Sequence, residues 1–181
     1  MIGEIVMNLH KYLFIGLIIL LLLTAVISIN LRNVHRQSTK SSIEFSEIIK
    51  LGDLSDLSLT IYYLSPLILT RQPLSDIDLT DSKFEYKVTV CGSRLQAYID
   101  LLDQINSTTL LPVEHESKVN ARIYYVFETK KDGKILSVSM WGRDNSMFIN
   151  GLEFKENNIF YDVIMPFLPE YAVKELEAYL E

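Results

Sequence analysis

Cysteine is nearly missing from this chain. Cys91 is the only one in 181 residues, so no intramolecular disulfide can form. Inside a strand such a thiol reads as a small buried hydrophobe, and no histidine lies near it to make it reactive. Histidine is scarce as well: there are three, and only His115 lies beyond residue 40. A metal centre wants several such ligands converging, so none is expected, and no motif asks for a cofactor. His115 sits in Glu114-His115-Glu116, which reads as a solvated polar loop. As a general base it would need a nucleophile and an orienting partner that the spacing does not supply. An anchored hydrolase using His115 with nearby carboxylates is the enzymatic alternative.

Basic charge is also short. The chain has 17 Lys and Arg against 23 Asp and Glu. Residues 1–40 hold Lys11, Arg32, Arg36 and Lys40 against Glu4, which leaves 13 basic and 22 acidic side chains, net −9, in residues 41–181. Nucleic acid would repel such a domain, so it is excluded as a partner. The acidic residues form no recognisable site either. Asp76, Asp78 and Asp81 lack the glycine and distal glutamate of a calcium loop, and read as turn and cap residues. Asp100 and Asp103 lie one helical turn apart on a solvent face. Asn106-Ser107-Thr108 matches the glycosylation acceptor, a short motif with many chance matches. Repeats and low-complexity segments are absent.

What the chain does have is one long apolar run. Residues 12–31 contain no charge and no proline, and fourteen of them are Leu, Ile, Val or Phe. A helix of that length spans about 30 Å, the thickness of a hydrocarbon core. A buried soluble helix would need more surrounding chain than remains. A cleaved signal peptide has a shorter apolar stretch and small residues at its end, and Val26-Ile27-Ser28 is a poor site of that kind. The run therefore predicts an uncleaved transmembrane signal-anchor, with the lipid bilayer as partner of residues 12–31. Residues 1–11 are a short tail, 32–42 a polar spacer and 43–181 a single globular domain.

Periodicity places the elements of that domain. Residues 43–51 suggest a short helix with Phe45, Ile48 and Ile49 on one face. Leu59, Ile61 and Tyr63 alternate with Thr60 and Tyr62, which predicts a strand over Ser58–Leu64. Leu67–Arg71, bracketed by Pro66 and Pro73, is an edge strand or an extended loop. Phe84–Cys91 is a strand, and Ser93 reads as the N-cap of an amphipathic helix carrying Leu95, Tyr98, Ile99, Leu102 and Ile105. Residues 106–117 form a loop. Val119, Ala121, Ile123, Tyr125 and Phe127 share one face of the next strand, and Leu136, Val138 and Met140 line its successor. Met147–Ile149 and Leu152–Lys155 flank Asn150-Gly151, a strong type I′ hairpin signal. Asn158 is placed to cap a helix from Ile159 to Met165, and Pro169 to open a last helix with Ala172, Val173, Leu176 and Leu180 facing in. The expected class is α+β, an antiparallel sheet with helices packed on one face.

Tyr124, Val126 and Trp141 would then point to the other face, with Arg143 at the turn beyond. If no helix covers that face, it is a partly apolar patch, and these four residues are the candidate partner surface for another membrane or envelope protein.

Four stretches carry a resemblance: Tyr62-Tyr63-Leu64-Ser65-Pro66, Asn120–Phe127, Met140-Trp141-Gly142 and Phe160–Phe167. Together they resemble small, uncharacterised membrane-anchored proteins of Gram-positive bacteria. The resemblance implies an anchored domain outside the cytoplasm, and implies no activity and no functional residues. Charge counting points the other way. Three Lys or Arg come after the apolar run, against Lys11 and the terminal amine before it, and this margin of one charge would leave a sensor or regulator domain in the cytoplasm. The expected function is that of a single-pass, non-catalytic binding or accessory module at the cell envelope, with its domain outside.

Overall fold

Alternation along the chain becomes a sheet because each strand buries every second side chain. The computed structural model describes residues 24, 45–51, 53–81, 86–111, 113, 119–141 and 146–180, with Ser107 and Tyr179 as backbone alone. All of the predicted anchor except Thr24, and the whole spacer 32–42, lie outside the described residues. Among the described residues no helix is long and apolar enough to cross a membrane. The chain divides into two compact units, Met1–Gln37 and Ser38–Glu181. Within the second unit, buried apolar side chains from Phe45 to Leu176 form one contiguous main core cluster.

Six strands form that unit's sheet: β1 (Leu57–Tyr63), β2 (Tyr86–Cys91), β3 (Ile123–Thr129), β4 (Gly133–Met140), β5 (Ser146–Ile149) and β6 (Leu152–Lys155). Their order is β2-β1-β3-β4-β5-β6, and every hydrogen-bonded pair is antiparallel. β3 to β6 form a meander. β2 and β3 both run antiparallel to the β1 strand between them, so they are parallel to each other. The connection from β2 to β3 must therefore cross over the sheet, and it carries helix. That connection is α3 (Gly92–Leu95), a 3₁₀ turn (Gln96–Tyr98) and α4 (Ile99–Ser107).

The register lines up one apolar face. Ile61 pairs with Tyr125, Tyr125 with Val138, and Val138 with Ile149. Helix α1 (residues 45–51), α3, α4, α5 (Ile159–Asp162) and α6 (Glu170–Leu180) cover this face with Phe45, Ile49, Leu95, Leu102, Phe160, Tyr161, Ala172 and Leu176. A register shift between Phe127 and Glu128 inserts Ile135 as an extra residue, and both Ile135 and Leu136 reach the core. The Tyr125 hydroxyl, fully enclosed, donates to the Phe160 carbonyl at 3.1 Å and so ties the sheet to α5.

Not all helices lie on one face, in contrast to the pattern expected from the sequence. α2 (Asp76–Asp81) and the segment before it cover the opposite side, where Leu64, Leu79, Ala121, Tyr124 and Val126 form a second buried cluster. The physical reason is visible in β3, whose Tyr124 and Val126 put large apolar area on that side. α2 is held by reciprocal capping: Asp78 N–H donates to Ser75 Oγ at 3.2 Å, and Ser75 N–H donates to Asp78 Oδ2 at 2.7 Å. The Ser75 N–H and the Ser75 hydroxyl, both donating to the Asp78 carboxylate, hold that carboxyl below its usual range.

Three local expectations are corrected. Ser93 is not the cap: the helix begins at Gly92 with Cys91 before it and no side-chain capping bond. Asn158 is not a side-chain cap either, because the Ile159 N–H donates to Asn157 Oδ1 at 3.1 Å instead. Finally, Val119 and Ala121 belong to the second cluster rather than the main face. β3 begins only at Ile123, since the Ala121 N–H is taken by the Leu74 carbonyl at 2.7 Å. The Asn150-Gly151 turn conforms to its signal, with φ of 50° and 82°.

Candidate functional site

The main face of the sheet is not filled everywhere. Where α1, the end of α4 and α5 meet β4 and β5, a pocket of about 400 Å³ remains. Its floor is Phe45, Leu136, Ile149 and Phe160, all buried, and its walls include Ile105 and Leu110. Ser46, Glu47 and Lys50 of α1 line it together with Asn106 and Thr108 at the end of α4. The α1 spacing explains this division. Phe45 and Ile49 turn to the sheet, and the tilted contact of Phe45 with Phe127 at 4.9 Å seats the helix. Glu47 and Lys50 fall on its solvent side.

The far wall is equally well braced. Thr108 leaves the helix in extended conformation, and its hydroxyl donates to the Gln104 carbonyl at 2.8 Å. The Asn106 amide donates to Asp103 Oδ1 at 3.1 Å. The Lys155 N–H donates to the Leu111 carbonyl at 2.8 Å, which pins this loop to β6. An apolar, partly enclosed volume of this size with a few polar groups at its opening is the usual form of a small-ligand site.

A second concentration of polar groups surrounds Arg122, which is 6% exposed. Its guanidinium donates to Asn120 Oδ1 at 3.1 Å, to the Ala121 carbonyl at 3.3 Å and to Thr70 Oγ1 at 3.0 Å. Nε has no partner. Burial holds the Arg122 pKa below its ordinary value. These acceptors are neutral and join β3 to the segment covering the second cluster, so the group serves as a clamp between them.

Of the residues expected to form a partner surface, Tyr124 and Val126 share the second cluster and Trp141 packs against the main one. Tyr124 is 7% and Val126 is 6% exposed, because the α2 segment covers them. Trp141 takes φ 83°, which reverses the strand's alternation and packs its ring against the main core. Arg143 lies outside the described residues, as do His115, Glu114 and Glu116. Asp100 and Asp103 are exposed on α4 as expected. Cys91 is exposed rather than buried, since Val90 takes the core side of edge strand β2 and Cys91 the other. Asn106 of the glycosylation motif sits half-buried in the pocket wall. Among the described residues no group of three or more His, Cys, Asp or Glu is arranged to hold a metal ion.

Sequence reasoning missed the pocket entirely. Its residues come from positions 45 to 160, and the one local trace is polar Ser46, Glu47 and Lys50 interleaved with Phe45 and Ile49. No protein-family model, no curated protein and no solved structure matches this chain.

Proposed function

We propose that this chain is a single-pass, membrane-tethered binding module of the cell envelope, non-catalytic, whose ligand site is the pocket between α1, α4 and the sheet. The observation that carries this reading is the pocket itself: about 400 Å³ of apolar-floored volume with polar side chains at its mouth. Such a cavity leaves contact area unused in the core, and core packing normally removes it unless something fills it. The tether is supported by the uncharged run at residues 12–31, long enough to span a bilayer. Placement of the domain outside the cytoplasm rests on the resemblance to anchored proteins of Gram-positive bacteria.

The site is tested with 1-anilinonaphthalene-8-sulfonate on the unit Ser38–Glu181. One saturable binding event, lost in Leu110→Trp with the far-UV circular dichroism unchanged, is expected. A dye signal that is absent, or identical in Leu110→Trp, refutes the pocket as a ligand site. Orientation is tested by protease shaving of intact cells: degradation of the domain is expected, and full protection refutes an outside location.

A further inference from the structure

We infer that the pocket takes a single aliphatic acyl chain of about a dozen atoms, with its acidic head group at Lys50. The inference rests on the reading of this cavity as a ligand site and names the class of ligand. Size comes first. At roughly 30 Å³ per water-sized group, 400 Å³ holds about a dozen non-hydrogen atoms. That accommodates one medium acyl chain and leaves no room for the two chains of a phospholipid.

Chemistry narrows the choice further. The floor is two phenylalanine rings with Leu136 and Ile149, and it offers no side-chain hydrogen-bonding group. A sugar or nucleotide would lose its water there without compensation, whereas methylenes gain. The polar side chains of the lining are Ser46, Glu47, Lys50, Asn106 and Thr108. The Thr108 hydroxyl proton is spent on the Gln104 carbonyl, and one of the two Asn106 amide protons on Asp103. The Ser46 hydroxyl and the Lys50 ammonium of α1 have no side-chain partner among the described residues and remain for a head group. A carboxylate or phosphate suits this ammonium–hydroxyl pair. Glu47 beside Lys50 limits the positive potential, which favours a head of one charge over a strongly anionic one.

α1 begins fourteen residues after Leu31 in the sequence. On the proposed tether the bilayer is therefore the nearest reservoir of acyl chains.

The experiment is displacement of 1-anilinonaphthalene-8-sulfonate from Ser38–Glu181 by hexanoate, decanoate, dodecanoate, hexadecanoate, dodecanol and dodecanoyl-lysophosphatidylglycerol. Decanoate is expected to bind on the order of a hundredfold tighter than hexanoate, since four methylenes are added. Affinity should level off from dodecanoate to hexadecanoate as the volume fills. Lys50→Glu, a change on the exposed face of α1, should weaken dodecanoate at least tenfold and leave dodecanol within twofold. Comparable affinity for dodecanoate and the lysolipid points to a membrane source, and dodecanoate alone points to free fatty acid. If the dye binds and is lost in Leu110→Trp, but neither decanoate nor dodecanoate displaces it, the acyl inference falls and the binding module stands. An unchanged dodecanoate affinity in Lys50→Glu overturns the assigned head-group position. Absence of a saturable dye site removes both.

Discussion

Gly92→Ala is the sharpest test of how this core is built, because two effects oppose each other there. Gly92 opens α3, and alanine is the better helix former by about 1 kcal/mol. On that ground alone the substitution would stabilise the protein. Its Cβ, however, would sit 1.7 Å from the Leu54 carbonyl oxygen, 2.6 Å from the Leu54 carbonyl carbon and 2.9 Å from Ser55 Cα. Contacts of this kind normally begin near ~3.3 Å, so the Leu54 turn would have to retreat by about 1.6 Å. All three atoms are backbone, and no rotamer change relieves them. The turn is also held: the Leu57 N–H donates to this same Leu54 oxygen at 3.0 Å, and Leu54 and Leu57 are 0% and 2% exposed. Overpacking typically costs about 1–3 kcal/mol, and a backbone-on-backbone clash belongs at the top of that range or above it. A net loss of about 2–3 kcal/mol is expected, lowering Tm by roughly 10 °C for a domain of this size. Urea unfolding followed at Trp141, the only tryptophan and half-buried against the core, together with circular dichroism, measures it. Gly133→Ala is the companion. Its Cβ meets nothing within 4 Å, but φ is 72°, so only the left-handed backbone strain of about 1 kcal/mol applies. A Gly92→Ala protein as stable as wild type, or more stable, would refute the claim that this glycine is required by close approach.

Buried polar groups give three further expected outcomes. Tyr125→Phe removes the bond to the Phe160 carbonyl without opening a cavity and should cost about 1 kcal/mol in urea unfolding. Tyr124 has its pKa pushed up to about 12, first by burial and then by the Asp76 and Glu128 charges. The unfolded chain therefore releases this proton first, stability should fall as pH rises from about 10 to 12, and Tyr124→Phe should flatten that limb of a Tm–pH profile. Glu156 has its pKa raised by burial, although its hydrogen bond from the Tyr161 hydroxyl opposes the shift. Stability should decline as pH climbs from the ordinary carboxylate range through the raised value, and Glu156→Gln should remove the decline and melt higher than wild type at pH 7. Identical Tm–pH profiles would count against it.

Much of the sheet was legible because alternation is a local signal. Leu59, Ile61 and Tyr63, or Leu136, Val138 and Met140, declare their face from within one strand, and Asn150-Gly151 declares its turn. The second cover was less legible, since α2 is six residues with one buried side chain, Leu79, and three carboxylates that read equally well as a turn. Ser75-x-x-Asp78, the capping pair, was its available signal. Trp141 was misplaced because counting by twos assumes extended backbone, and a positive φ breaks the count. Gly92 proves to be a contact point with Leu54, 38 positions away, which no local pattern reveals.

By itself the sequence determined the apolar run at residues 12–31, the acidic character of residues 41–181, the α+β class and the core face of most strands. These depend on composition and on neighbours two to four positions apart, so the chain carries them without folding. Tertiary structure alone decided that Tyr124 and Val126 are covered, that Trp141 joins the main core, and that Phe45, Ile105, Leu136 and Phe160 surround one cavity. Those outcomes depend on which distant surfaces meet and how completely their side chains fill the space between them. A pocket is a shortfall in that filling, and it exists only once the elements have packed.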